Sequence, residues 1–137
     1  PRNGGDPVAE MAAFGGAAMA AAKAAGKRLV MVGGAGSRSL PDGSPVLPHV
    51  PEMYRPEAAG MKAVYEKLKG SDLDWTFFAP AGVIQPGERT GVFRLGKDVL
   101  VSAADGSSTI SAEDYAVAMV NELEAPANRR SIMTIGY

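Results

Sequence analysis

Cysteine is missing altogether from the 137 residues. That removes disulfides, thiolate nucleophiles and cysteine-held metals at once. Histidine is nearly missing: His49, between Pro48 and Val50, is the only one. A single imidazole cannot build a multi-histidine metal site, and a lone loop histidine reads as a solvated side chain. No metal is expected. No apolar run approaches the ~20 residues that span a bilayer, and no basic-then-apolar signal segment opens the chain. A membrane partner is therefore not expected, and the expected compartment is the cytoplasm. Charge of one sign is scarce too, with 14 basic and 15 acidic residues and a formal net charge of -1. There is no basic stripe and no acidic tail, so nucleic acid is not an expected partner.

What is present is ordinary globular material: 46% hydrophobic and 21% charged residues, enough for one modest core in one domain over residues 1–137. The chain opens Pro1-Arg2-Asn3-Gly4-Gly5-Asp6-Pro7. An N-terminal proline can serve as a catalytic amine, but in this Gly/Pro setting it reads as connector. The Ala-rich run Val8 to Ala25 predicts a helix whose small residues could lie close on a sheet, with Gly15-Gly16 as its weak point and Gly26 as its terminator. Arg28 to Val32 reads as a parallel strand buried on both faces.

Five prolines between residues 38 and 56 exclude long regular structure there, and that loop is expected to lie over the strand ends as a lid. Met61, Val64, Tyr65 and Leu68 share one face of a second helix from about Glu57 to Lys69. Asp74 to Phe78 is a second strand. Val92–Leu95 and Val99–Val101 read as a hairpin. Ser111-Ala112-Glu113-Asp114 has the form of a capping box, with Ile110 placed to staple onto Tyr115. A third helix follows to about Leu123, with Tyr115, Met119 and Leu123 on one stripe, and Arg130 to Ile135 closes the chain as a strand. Helices and strands in alternation predict an α/β fold with right-handed crossovers.

Two strand ends stand out as candidate ligand sites, Gly33–Ser37 and Ala79–Gly82, because ligands of open α/β sheets bind beyond the carboxyl ends of the strands. The glycine cluster is no P-loop and no complete G-x-G-x-x-G. It reads either as a plain strand-to-loop exit or as a place where a ligand approaches the backbone.

Val32-Gly33-Gly34-Ala35-Gly36-Ser37 after a strand, then a helix, then Ser71-Asp72-Leu73-Asp74-Trp75-Thr76-Phe77-Phe78-Ala79-Pro80-Ala81-Gly82, resembles the C-terminal half of an atypical short-chain dehydrogenase. Glu88-Arg89-Thr90-Gly91 and Ile110-Ser111-Ala112-Glu113-Asp114-Tyr115 add to the likeness. Among such proteins it is most similar to the NmrA-like and flavin/biliverdin-reductase-like NAD(P)H-binding group. The resemblance implies a Rossmann-type parallel sheet with flanking helices, and NADP or NAD as cofactor. It implies Gly33, Gly34, Ala35, Ala79, Pro80 and Ala81 as cofactor contacts, with Ser37 and Tyr54 as the candidate catalytic hydroxyls. The activity implied is hydride transfer between NAD(P)H and an unidentified small molecule, or non-catalytic NAD(P) sensing in a regulatory NmrA-like manner.

Two departures from the family pattern matter. Tyr65 and Lys69 have the spacing of the family's Tyr-x-x-x-Lys pair, but they lie late on the helix and Tyr65 shares its apolar face, so they read as structural. The family's first βαβ units and Gly-rich fingerprint have no counterpart in these residues. The chain therefore reads as a partial sheet, the C-terminal part of an NAD(P)-binding domain. An uncovered edge at the strand Arg28–Val32 is then expected to invite self-association.

Overall fold

The computed structural model describes residues 4–137. Pro1, considered above as a catalytic amine, lies outside the described residues.

The first helix, α1 (Pro7–Ala25), starts where Asp6 accepts hydrogen bonds from the Val8 and Ala9 N–H groups at 3.0 and 3.2 Å. Such side-chain caps satisfy the donors that a helix start leaves over. It stops at Gly26, whose φ of 60° is the left-handed cap that glycine adopts without strain. Its small residues meet both neighbours: Ala22 joins the core against the sheet, and Gly15 meets a helix. A Cβ on Gly15 would come within 2.7 Å of Val64, and one on Gly60 within 2.9 Å of Met11. The two glycines are reciprocal notches that let α1 and α2 (Arg55–Lys69) approach closely, so Gly15 serves packing.

Strands β1 (Leu29–Val32), β2 (Trp75–Ala79) and β6 (Ser131–Gly136) run parallel, with Leu29 opposite Trp75 and Thr76 opposite Ser131. Strand β4 (Arg94–Gly96) joins the far edge antiparallel to β6, giving the order β1-β2-β6-β4. A second, two-stranded parallel sheet pairs β3 (Val83–Gln85) with β5 (Thr109–Ser111). The fold is α/β, with a largely parallel sheet flanked by helices.

The central strand β2 is buried throughout, as its unbroken apolar run predicts. Its residues alternate between two cores. Trp75, Phe77 and Ala79 face α1 and α2 together with Met31, Val64, Leu68 and Ile132. Phe78 faces α3 (Ala112–Glu124) together with Ile110, Tyr115, Ala118, Met133 and Ile135. Tyr65 packs on the first core, its ring 6.1 Å from Trp75 and 5.0 Å from Phe77.

Two local expectations need correcting, and a third is met only in part. Val92–Leu95 and Val99–Val101 do not pair with each other. Residues 94–96 pair with β6 instead, and Val99 bridges to Ser39 of the proline-rich loop. The inward stripe of α3 is Asp114, Tyr115, Ala118 and Glu122, while Leu123 is exposed. Glu122 turns in because it pairs with Arg28 and accepts from Asn128 at 2.9 Å. The loop 38–56 is pinned sideways at its start, while its Leu47 and Val50 pack against Gly36 of the turn that follows β1. Ser39 N–H donates to the Asp98 carbonyl at 3.0 Å, and Leu100 N–H donates to the Ser39 carbonyl at 2.9 Å. Arg38 Nη1 donates to the Lys97 carbonyl at 3.1 Å.

Candidate functional site

The carboxyl ends of β1 and β2 meet at the glycine cluster. Gly33 N–H donates to the Phe78 carbonyl at 2.8 Å, carrying the ladder one residue past β1. The chain then makes a short 3-10 turn, Ala35–Ser37, against α2. The glycines here differ in kind. A Cβ on Gly33 would strike the Phe77 ring at 2.2 Å, and one on Gly36 would meet Ala58 at 3.0 Å and Leu47 at 3.3 Å. These two are small because protein packs on them. A Cβ on Gly34 would meet nothing closer than Met61 at 3.6 Å. Gly34 is thus the position where the backbone has room for something else, and Gly33, Gly34 and Ala35 are all partly exposed.

Beside this turn the end of β1 is open. Val32 is 55% exposed, and β1 is an edge strand among the described residues. An apolar side chain at the carboxyl end of a parallel strand, next to an accessible glycine, suits the flat apolar face of a ring ligand.

The sequence-derived candidates fall in three settings. Ser37 ends the 3-10 turn, with its hydroxyl oxygen buried and without a hydrogen-bond partner. Tyr54 ends a second 3-10 turn, Glu52–Tyr54, immediately before α2, and its side chain is exposed. Ala79, Pro80 and Ala81 are all buried, and Ala81 packs with Ile110 and Tyr115. Neither the side chains nor the backbone of that turn is open at the surface. The open surface at these strand ends is therefore the half-open Gly33–Ala35 turn and the exposed end of β1. Among the described residues no cluster of carboxylates or histidine could hold a metal ion, and His49 is exposed in its loop.

The Tyr65–Lys69 pair is structural. Besides Trp75 and Phe77, the Tyr65 ring carries the Arg38 guanidinium 5.1 Å from its centroid and the Lys69 ammonium 5.4 Å away. Lys69 is held by Glu66 at 2.9 Å, a contact that pushes its pKa up.

On the other face, Ser111 caps α3 by accepting from Asp114 N–H at 3.0 Å. The return half of the capping box is absent. The fully covered Asp114 carboxylate instead accepts from the Thr90 hydroxyl at 2.5 Å, Gly91 N–H at 2.8 Å and the Tyr137 hydroxyl at 2.8 Å. Burial pushes this carboxyl up, but the three donors outweigh it and hold it below the ordinary aspartate range. Tyr115 stacks on Phe78 with centroids 4.2 Å apart and donates its hydroxyl to the Phe78 carbonyl at 2.6 Å. Burial raises its pKa, so it stays a donor. The Ser-x-x-Asp spacing marks Asp114, but nothing in the sequence marks Thr90 or Tyr137 as its partners.

Comparisons with known proteins place the fold. A Burkholderia pseudomallei protein described as exported has a crystal structure that superposes with a TM-score of 0.89 at 38% identity, covering 100% of this chain and 68% of that one. A Streptococcus pneumoniae protein described as an NADH-flavin reductase superposes with a TM-score of 0.74 at 31% identity, over 80% of this chain and 55% of that one. The Bacillus subtilis protein YwnB is 37% identical over 114 residues, which are 79% of this chain and 54% of YwnB. The chain thus spans about half the length of that curated relative. Residues 4–126 match the NAD(P)H-binding family from the first described helix to the end of the third, and the chain belongs to that family.

Proposed function

We propose that this chain forms the nicotinamide-side wall of a reductase-type site, in which a hydride passes from NAD(P)H to a small acceptor such as a flavin, quinone or carbonyl compound. The observation that carries the reading is the half-open turn at Gly33–Ala35, with room at Gly34 beside the exposed Val32. The cofactor would supply the hydride, and a proton from solvent or from Tyr54 completes the two-electron reduction of the acceptor. Gly34 and Ala35 would border the ring, Ser37 would position acceptor or carboxamide once the turn opens, and the buried Ala79–Ala81 turn would fix the floor. The likeness to a protein described as an NADH-flavin reductase supports a flavin among the acceptors to test first. Steady-state NADPH and NADH oxidation with quinone, flavin and carbonyl acceptors is the test. Turnover with any acceptor, reduced by Tyr54→Phe or Ser37→Ala, is the expected result.

A second reading, a non-catalytic NAD(P) sensor of NmrA-like type, is favoured by one observation. The chain's only Tyr-x-x-x-Lys spacing has its tyrosine ring packed on Trp75 and Phe77 and its lysine paired with Glu66. Measurable NADPH binding with no turnover for any acceptor would decide for it.

The donors that cradle a pyrophosphate belong to a Gly-rich fingerprint that these residues do not contain. Alone they are expected to bind NADPH weakly, and to self-associate through the edge of β1. Calorimetry with light scattering checks both, and micromolar binding by a monomer would overturn them. The reading carries a cytoplasmic location with it, where reduced NAD(P)H is available. Cell fractionation tests this against the export described for the B. pseudomallei relative.

A further inference from the structure

Where β2 and β6 begin, at the end of the sheet away from the glycine turn, lies a cavity of about 220 Å³. Trp75, Tyr65 and Ile132 give it an apolar floor, and Lys69, Lys97 and Arg130 stand around it with Asp98 and Ser131. Four steps of β2, roughly 13 Å at ~3.3 Å per residue, separate this end of the strand from Ala79.

The charges here do not balance. Lys69 pairs with Glu66, whereas among the described residues Lys97 has no carboxylate partner and Arg130 only donates to the Ser71 carbonyl at 3.1 Å. Behind the Tyr65 ring sits Arg38, only 3% exposed. Its nearest carboxylate, Asp98, is 3.7 Å away with its own side chain 82% exposed, and Arg38 Nε has no partner. Desolvation lowers the Arg38 pKa despite Tyr65 and Asp98, as expected for an incompletely neutralised guanidinium. The other carboxylates of this end are taken: Asp72 by Lys23 at 3.6 Å, and Asp74 by Arg129. Arg38, Lys69, Lys97 and Arg130 therefore face only Glu66 and Asp98, in a chain whose formal net charge is -1.

A second observation is independent of charge. Trp75 lines the cavity and is 3% exposed, yet its indole N–H is buried with no acceptor. A buried donor without an acceptor is costly, and a cluster of cations short of counter-charge is costly too. A ligand that accepts hydrogen bonds and carries two negative charges offsets both. We propose that this cavity binds a phosphate group, free or carried on a small phosphomonoester, through Lys97, Arg130 and Lys69 with the Trp75 indole N–H as the neutral donor. Phosphate is preferred to a single carboxylate because its dianion matches the surplus of four cations over two carboxylates, and because a guanidinium fork reads its oxygens in pairs. The site is separate from the proposed dinucleotide wall.

Trp75 is the only tryptophan in the chain, so its indole reports on this cavity alone. The protein is titrated with inorganic phosphate, and in parallel with glycerol phosphate, at constant ionic strength held with sodium chloride. The readouts are Trp75 fluorescence and the indole N–H resonance. A saturable change is expected, with the apparent Kd raised about tenfold or more in Lys97→Glu and in Arg130→Gln. Asp98→Asn, which removes a carboxylate from the rim, should tighten binding. Lys23→Glu, outside the cavity, should leave it unchanged. Tighter binding of the ester than of free phosphate assigns the site to a phosphorylated metabolite; equal binding assigns it to phosphate itself. The exposed positions of Lys97 and Arg130 make both variants compatible with the fold, which circular dichroism checks. An indole signal that never saturates, or one that saturates equally in Lys97→Glu, overturns the proposal.

Discussion

On the α3 face of the sheet, Tyr115 donates to the Phe78 carbonyl, Asp114 collects three donors, and Thr76 accepts from Arg28 while donating to the Asn128 carbonyl at 2.6 Å. On the α1–α2 face, Ser37 Oγ, Arg38 Nε, Trp75 Nε1 and Thr134 Oγ1 are all buried without a partner among the described residues. Two further lapses lie elsewhere, at Arg28 Nε and Asp74 Oδ1, but Arg28 still reaches Glu122 and Thr76 through its other nitrogens, and Asp74 pairs with Arg129 through its other oxygen. Natural interiors pair nearly all their buried polar groups, and the exceptions call for a reason. The contrast separates a face whose buried polar groups the protein pairs itself from a face that leaves several unpaired. Both candidate sites, the glycine turn and the phosphate cavity, border the second face.

The hardest test of the comparison is its shared hydrophobic base. Phe77 is fully covered on the α2 face, so Phe77→Ala should cost about 3–5 kcal/mol in chemical denaturation. A much smaller loss would mean that this face is loosely packed rather than polar by design.

The next effect is acid sensitivity. The Asp114 pKa is lowered in the folded state, so its contribution is fully present above the unfolded aspartate value and drains away as pH falls through the folded one. Asp114→Asn should lower stability at neutral pH and flatten the acid limb of a stability–pH curve. An unchanged acid limb would move the origin of acid sensitivity elsewhere.

Single hydroxyls give the sharpest contrast. Tyr115→Phe strips one of the two donors from the Phe78 carbonyl, which keeps the Gly33 N–H, and should cost about 0.5–1.5 kcal/mol. Ser37→Ala removes a hydroxyl that has no partner and should change stability by less than about 0.5 kcal/mol, while altering the Kd or KM for NAD(P)H or acceptor. Equal losses in the two variants would erase the distinction between the faces.

The elements legible in the sequence are those with a strong local signal. Pro7, Gly26 and the alanine run define α1, and the Val/Leu-rich and aromatic runs define β1 and β2. Ser111 fixes the start of α3 to the residue. What was not legible depends on partners distant in the chain. Leu95 looks like half of a hairpin until β6, some forty residues later, takes it as a neighbour. Val83–Gln85 is too short and too exposed to read as a strand, and it exists because Thr109–Ser111 runs beside it. The site was legible in the same proportion. The glycine turn is visible in the letters, but that Gly34 alone has room follows from Phe77 and Ala58. The three cations that line the cavity, and Arg38 against Tyr65, come from four separate segments.

Strand order carries a consequence in time as well as in space. Strand β6, the last made, is inserted between β2 and β4, and it contributes Ile132 to one core and Met133 and Ile135 to the other. Until β6 has been synthesised, β4 has no neighbour in the main sheet and both cores lack a wall. Pairings so far apart in sequence are slow to form. Folding should therefore show one late concerted step, in which both faces of the sheet acquire protection from hydrogen exchange together.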